Sequence, residues 1–319
     1  MKINKQVGRF LAIFLAAAAL LSVTAAAAYY NTYSTVATIP NGNGCNRTQG
    51  FAVGSSYVYT AKCNDDESKQ IIYRTKMSDG TITIMTNGDT SNTYATNLGH
   101  ANDMDTCTIN GKYHLFVATM KTRSESLVKL QYSGNTYTQL GGYTLKHNGE
   151  EIAISGAKKY AKDENYVYFL FFVCDGTEDS VGVYKGQVPM TTNSGIVNVT
   201  HAFDIDIANA LVNGSTVSGL ENFTRQGIGY IASTDQLLVP LTNNNVSIIL
   251  VYDNASTATG TVTANPNLSF RITSSSYPYL FEIEGCDETN GKLYFNCNRK
   301  KNSGDISNDA ICYFKDFTT

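Results

Sequence analysis

Glu282 and Glu284 stand two residues apart in Glu282-Ile283-Glu284-Gly285, and in an extended strand that spacing puts both carboxyls on one face. Paired carboxylates can divide acid and base roles in glycoside hydrolysis when their separation leaves room for the reacting centre. A partner on a different segment, Asp103 or Glu151, suits that requirement better than two neighbours on one strand. The stretch Gly99-His100-Ala101-Asn102-Asp103 gathers an imidazole, an amide and a carboxylate. Imidazole titrates near neutrality, so His100 beside Asp103 can serve as a base or hold a ligand. Gln49 and Gln226 each precede a glycine. Their amides suit ligand contacts, and they suit equally well hydrogen bonds to backbone groups of a neighbouring segment. The catalytic candidates are therefore Asp103, Glu151, Glu282 and Glu284, and the ligand-binding candidates are Gln49, His100, Asn102, Asp103, Gln226 and Glu284.

These residues need a scaffold that brings distant segments to one place. After residue 28, helical periodicity is scarce, while short runs rich in Tyr, Val, Ile, Phe and Thr recur between clusters of Gly, Asn, Asp and Ser. Gln49-Gly50-Phe51, followed by residues 57–59 and 70–73, is written like Gln226-Gly227-Ile228, followed by 236–239 and 248–252. The same plan of three strands fits the stretches that open at residues 101–104, 151–156 and 282–285. Five such units predict an all-β fold, a five-bladed β-propeller, with residues 29–319 as a single propeller domain. In that fold the first strand of each unit lines a central channel, so Gln49, His100, Asn102, Asp103, Glu150, Glu151, Gln226, Glu282 and Glu284 converge at one mouth. The fifth unit is one strand short, and residues 33–39 can supply the missing outer strand and close the ring. The competing architectures are a β-sandwich or jelly roll and a six-bladed ring with an extra unit hidden in residues 186–220. Residues 203–211 of that stretch have the only helix-like pattern.

The first nine residues carry Lys2, Lys5 and Arg9 and no acid; an apolar run over 10–23 and a small-residue stretch over 25–28 follow. This order predicts a secretory signal peptide over residues 1–28, cleaved before Tyr29, and a secreted, extracellular product with no membrane insertion. Taking those three bases from 24 Lys+Arg against 27 Asp+Glu leaves a net charge of about −6, the wrong sign for a nucleic-acid partner. Seven cysteines in an exported chain permit disulfides, and Cys45–Cys63 and Cys297–Cys312 each join segments placed on neighbouring strands. No C-x-x-C spacing, Walker loop, H-E-x-x-H helix or dinucleotide fingerprint is present in a meaningful context, and no metal or cofactor is expected. The acidic loops at 64–67 and 175–179 lack the spacing of a calcium loop and read as solvated blade tips. His114, His147 and His201 read as structural or surface residues. The absence of Trp counts against a sugar-stacking platform, but 21 tyrosines can take its place.

Gly54-Ser55-Ser56-Tyr57-Val58-Tyr59 in the first unit, Gly99-His100-Ala101-Asn102 in the second, Gln226-Gly227 in the fourth and Glu282-Ile283-Glu284 in the last follow one another in an order that resembles the helveticin J group of bacteriocin-like proteins. That resemblance implies a secreted propeller related to bacteriolysins that act on the envelope of competing bacteria. Together with the polar channel mouth it leads to the expectation of an extracellular or cell-envelope glycan as partner. A glycoside hydrolase using the channel carboxylates is one alternative, and a non-catalytic structural or adhesion module is another.

Overall fold

The computed structural model describes residues 32–121, 125–176 and 180–317, with the side chains of 174–176 and 180 left out. The expected signal segment and most of the acidic loop at 175–179 lie outside the described residues. Five sheets of four or more strands follow one another along the chain. Blade one contains Arg47–Val53, Tyr57–Cys63, Gln70–Lys76 and Ile82–Ile84. Blade two contains Asp103–Ile109, Lys112–Ala118, Leu127–Ser133 and Thr136–His147. Blade three contains Ile154–Lys162, Tyr166–Gly176, Ser180–Pro189 and Thr200–Asp206. Blade four begins with Thr224–Arg225 and Gly229–Ile231, interrupted at Gln226, and continues through Gln236–Asn243, Val246–Tyr252 and Phe270–Thr273. Blade five contains Leu280–Thr289, Lys292–Lys300 and Ala310–Phe314.

The fourth strand of blade five is Tyr33–Thr38, antiparallel to Ala310–Phe314, so the ring closes as its sequence predicted. A buried ion pair seals this join: Lys62 of blade one lies 2.7 Å from Asp309, which also accepts a 2.9 Å hydrogen bond from the Thr48 hydroxyl. The apolar residues form five buried clusters, and each spans one pair of adjacent blades. Strands such as Val246–Tyr252 are therefore buried on both faces, which is why they read as continuous apolar runs rather than alternating ones. The propeller thus has five blades.

Residues 186–220 hold no sixth blade. Thr200–Asp206 is the outer strand of blade three, and Phe203, Ile205 and Ile207 are buried while Asp204 and Asp206 are half-buried. The period of two, rather than the helix-like spacing expected there, decides this element. Among the described residues the one short helix is a 3-10 turn at Leu220–Asn222.

Neither expected disulfide is present: Cys45, Cys63, Cys107, Cys286, Cys297 and Cys312 are buried free thiols. The Cys45 thiol faces the Lys69 carbonyl at 3.3 Å. The register sets Cys297 opposite Ala310 and Cys312 opposite Phe295, so these two cysteines meet diagonally.

Inner strands approach closely at the centre. A Cβ on Gly229 of blade four would stand 2.1 Å from the Cys286 carbonyl oxygen of blade five. Gly229→Ala must push backbone apart, and its expected cost is about 1–3 kcal/mol, read as a lower urea midpoint. An unchanged midpoint would show that the two blades separate freely.

Candidate active site at the channel mouth

Opening residues of the inner strands of blades one, four and five, with His100 ahead of blade two, form a pocket of about 280 Å³. Arg47 and Gln49 from blade one, His100 from the approach to blade two, Gln226 from blade four, and Glu282 and Glu284 from blade five line it. Glu282 and Glu284 both turn toward Asn298, although the strand's register shifts between Ile283 and Gly285. The Gln226 side-chain amide donates to Glu282 Oε1 at 2.8 Å. Asn298 Nδ2 donates to Glu282 Oε2 at 3.0 Å and makes a short bond to Glu284.

Glu284 is 1% exposed. Burial first, then the charge and hydrogen bond of Glu282, hold its carboxyl well above the ordinary carboxylate range and favour its protonated form. Its Oε2 has no partner as an acceptor. Once protonated that oxygen becomes a donor, with Glu282 beside it to accept. The Gln49 Oε1 is likewise buried and unpartnered at the same pocket, leaving an acceptor for an incoming hydroxyl.

His100 does not meet Asp103. Its Nδ1 lies 2.7 Å from Glu67 Oε1 on the blade-one loop, so this acidic loop, read from sequence as a solvated tip, supplies the imidazole's carboxylate. Asp103 lies beneath the pocket, fully buried, 3.0 Å from the Lys158 ammonium. It accepts the backbone N–H of Ala157 at 3.0 Å. Lys158 reaches 3.6 Å from Asp287 and donates to the carbonyls of Phe51 and Met104 at 2.9 and 2.6 Å. One ammonium thereby ties blades one, two, three and five and plugs the channel. Burial raises Asp103 to about 6 in spite of Lys158. Burial alone would lower the Lys158 ammonium, but Asp103, Asp287 and Asp105 together outweigh it, and its pKa rises.

Asn102 donates to the Ser155 carbonyl of blade three at 2.7 Å and is 4% exposed, so it serves as a tie between blades. Glu151 is not at the mouth. Asn148 and Gly149, both with positive φ, turn Thr136–His147 back so that Glu150 and Glu151 pair with His147 and Lys146 on the outer strand of blade two. The Glu151 carboxylate lies 3.8 Å from Lys146. An Asn-Gly pair between strands is the hairpin signal that marks this placement.

Arg47, Asn298 and Lys300 also line the pocket and were not among the sequence candidates. For Asn298 a signal existed: Asn296 and Asn298 alternate with the buried Leu293, Phe295 and Cys297 side of their strand, and two buried amides on one face imply a polar neighbour. Among the described residues no group of three or more His, Cys, Asp and Glu side chains is placed to hold a metal.

A buried carboxyl whose protonated form is favoured and an imidazole held by the Glu67 carboxylate thus line one cavity. No family model and no curated protein matches the sequence, and neither comparison supports the helveticin J resemblance. Among solved structures the chain is similar to a GH43_1 enzyme from Xanthomonas citri, with TM-score 0.51, 9% identity, and coverage of 89% of this chain and 90% of that one. It is also similar to an endo-arabinase from Bacteroides thetaiotaomicron, with TM-score 0.50, 17% identity, and coverage of 87% and 96%. The likeness is one of fold.

Proposed function

We propose that the channel mouth takes an extracellular or cell-envelope glycan and hydrolyses a glycosidic bond in it, after export directed by residues 1–28. The observation that carries this reading is the buried Glu284 carboxyl, beside Glu282, in the same pocket as the His100–Glu67 pair. In the proposed step Glu284 gives its proton to the leaving glycosidic oxygen as the bond from the anomeric carbon breaks. A water forms the new bond to that carbon and passes its proton to His100, which Glu67 orients. Gln49, Gln226 and Asn298 hold sugar hydroxyls or the carboxyl pair. The propeller fold shared with an endo-arabinase and a GH43_1 enzyme supports the reading.

One feature favours a second reading, in which the mouth binds the glycan without cleaving it, as a bacteriocin-like factor would. Glu282 and Glu284 touch each other on one strand, whereas the two carboxyls of a glycosidase usually stand roughly 5–9.5 Å apart, and blades one and four present the amides of Gln49 and Gln226.

Incubating the purified protein with arabinan, xylan and bacterial cell-wall sugar polymers, and following both retention and new reducing ends, separates the two. Retention with sugar release is the expected result. Retention without release assigns the mouth to binding, and no retention on any polymer removes both readings and leaves a structural or adhesion module.

A further inference from the structure

We propose that a second cleft, between blades one and two on the face opposite the mouth, binds the carboxylate-bearing end of an acidic sugar chain. The inner strand of blade one starts at the mouth and ends at Val53, and the turn beyond it, Gly54-Ser55-Ser56, rims this cleft of about 350 Å³. Its walls carry Tyr57, Tyr59, Tyr113 and Tyr132, with the cations Arg74 and Lys159, and no Asp or Glu lines it.

Tyr113 is 55% exposed, yet its ring is held from behind. It stacks on Tyr132 at 5.6 Å and 23°, and Tyr132 in turn meets Tyr59 at 5.0 Å. A large ring fixed in place with its outer face open to solvent is a platform for a sugar ring, and it loses little entropy on binding. The Arg74 guanidinium lies 3.5 Å from the Tyr57 ring centroid, which fixes its plane. One of its terminal nitrogens donates to Asn135 at 2.9 Å, and its buried Nε has no hydrogen-bond partner. The Lys159 ammonium donates to the Thr106 carbonyl at 2.9 Å. Arg74 forms no ion pair among the described residues, while the charge of Asp105 already acts on Lys159.

The Arg74 guanidinium, with no carboxylate partner among the described residues and beside an open aromatic face, selects an anion carried on a flat, weakly polar ring. The planar fork of Arg74 matches a carboxylate in two-point contact. A neutral sugar would leave that charge unanswered. The inference goes beyond the hydrolytic reading of the mouth, because it concerns residues of the other face and requires no turnover.

The test is calorimetric titration of the purified protein with a galacturonate trimer and with the neutral galactose trimer, at low and moderate salt. The acidic trimer should bind at least about tenfold tighter than the neutral one and weaken as salt rises. Tyr113→Ala, at an exposed position, should weaken it about tenfold. Arg74→Gln should weaken it further and Arg74→Lys should fall between. Equal affinity for the two trimers, no binding of the acidic one, or loss in Gln49→Ala with retention in Tyr113→Ala would each overturn the proposal. Sugar release at the mouth is measured separately, so the failure of one reading leaves the other standing.

Discussion

Replacing Lys158 with methionine is expected to lower the stability of the folded protein by about 3–5 kcal/mol at neutral pH, the cost of leaving buried charge without its partner. The side chain is 1% exposed, and its removal strands the carboxylates of Asp103 and Asp287 and the carbonyls of Phe51 and Met104. The loss should depend on pH with a definite sign. Burial already raises Asp103 from 3.8 to about 6, and raises Asp287 as well, with Lys158 opposing both shifts. A carboxyl whose folded pKa is raised binds its proton more tightly when folded. Its stabilising contribution is complete below the unfolded value and is lost as pH rises through the folded one. Without Lys158 both pKa values climb further, so the carboxyls sit neutral at pH 5 and are forced to ionise only at higher pH. Urea denaturation should therefore show a smaller deficit at pH 5 than at pH 8. Adding Asp103→Asn to Lys158→Met should recover part of the stability at pH 8. A deficit that is the same at both pH values would mean that the plug works by packing rather than by charge.

Glu284→Gln should move activity and stability in opposite directions. Glutamine reproduces the protonated carboxyl in shape but cannot release a proton, so sugar release from the glycan should drop roughly 10²–10⁴-fold while retention of the glycan persists. In the native protein the raised pKa of Glu284 means that stability is lost as pH rises from the usual carboxylate range through its folded value. The glutamine variant does not titrate there. Relative to the native chain its melting temperature should gain as pH rises, because the repulsion from Glu282 no longer develops. Full activity in this variant would remove Glu284 as the proton donor, and a melting curve that tracks the native one at every pH would mean that folding leaves the Glu284 pKa unchanged. A lower activity together with an alkaline stability gain would show that the site holds its acid at a cost to the fold.

The linear order of residues determined the ring. Short apolar runs, Gly and Asn turns and the repeated opening before Gly50 and Gly227 are local signals, and they suffice to mark strands and to count units. The missing strand of blade five and the surplus strand at residues 33–38 could be matched because both are visible as gaps and remainders in that count. Sequence also placed Gln49, Gln226, Glu282 and Glu284 at the mouth, because each opens a unit.

Only the tertiary structure decided what each polar residue meets there. Asp103 and Glu284 look alike in sequence, an acid at the opening of a unit. Asp103 is claimed by Lys158, 55 residues away, and becomes a plug. Glu284 finds a second carboxyl and the Asn298 amide instead, and its protonated form is favoured. His100 turned from Asp103, three residues along its own chain, to Glu67 on a neighbouring blade, and an Asn-Gly turn carried Glu151 to an outer edge. The reason is physical: charge, burial and hydrogen bonding at the centre of a ring are set by side chains from all five blades, and contacts between blades leave no spacing in the sequence to read.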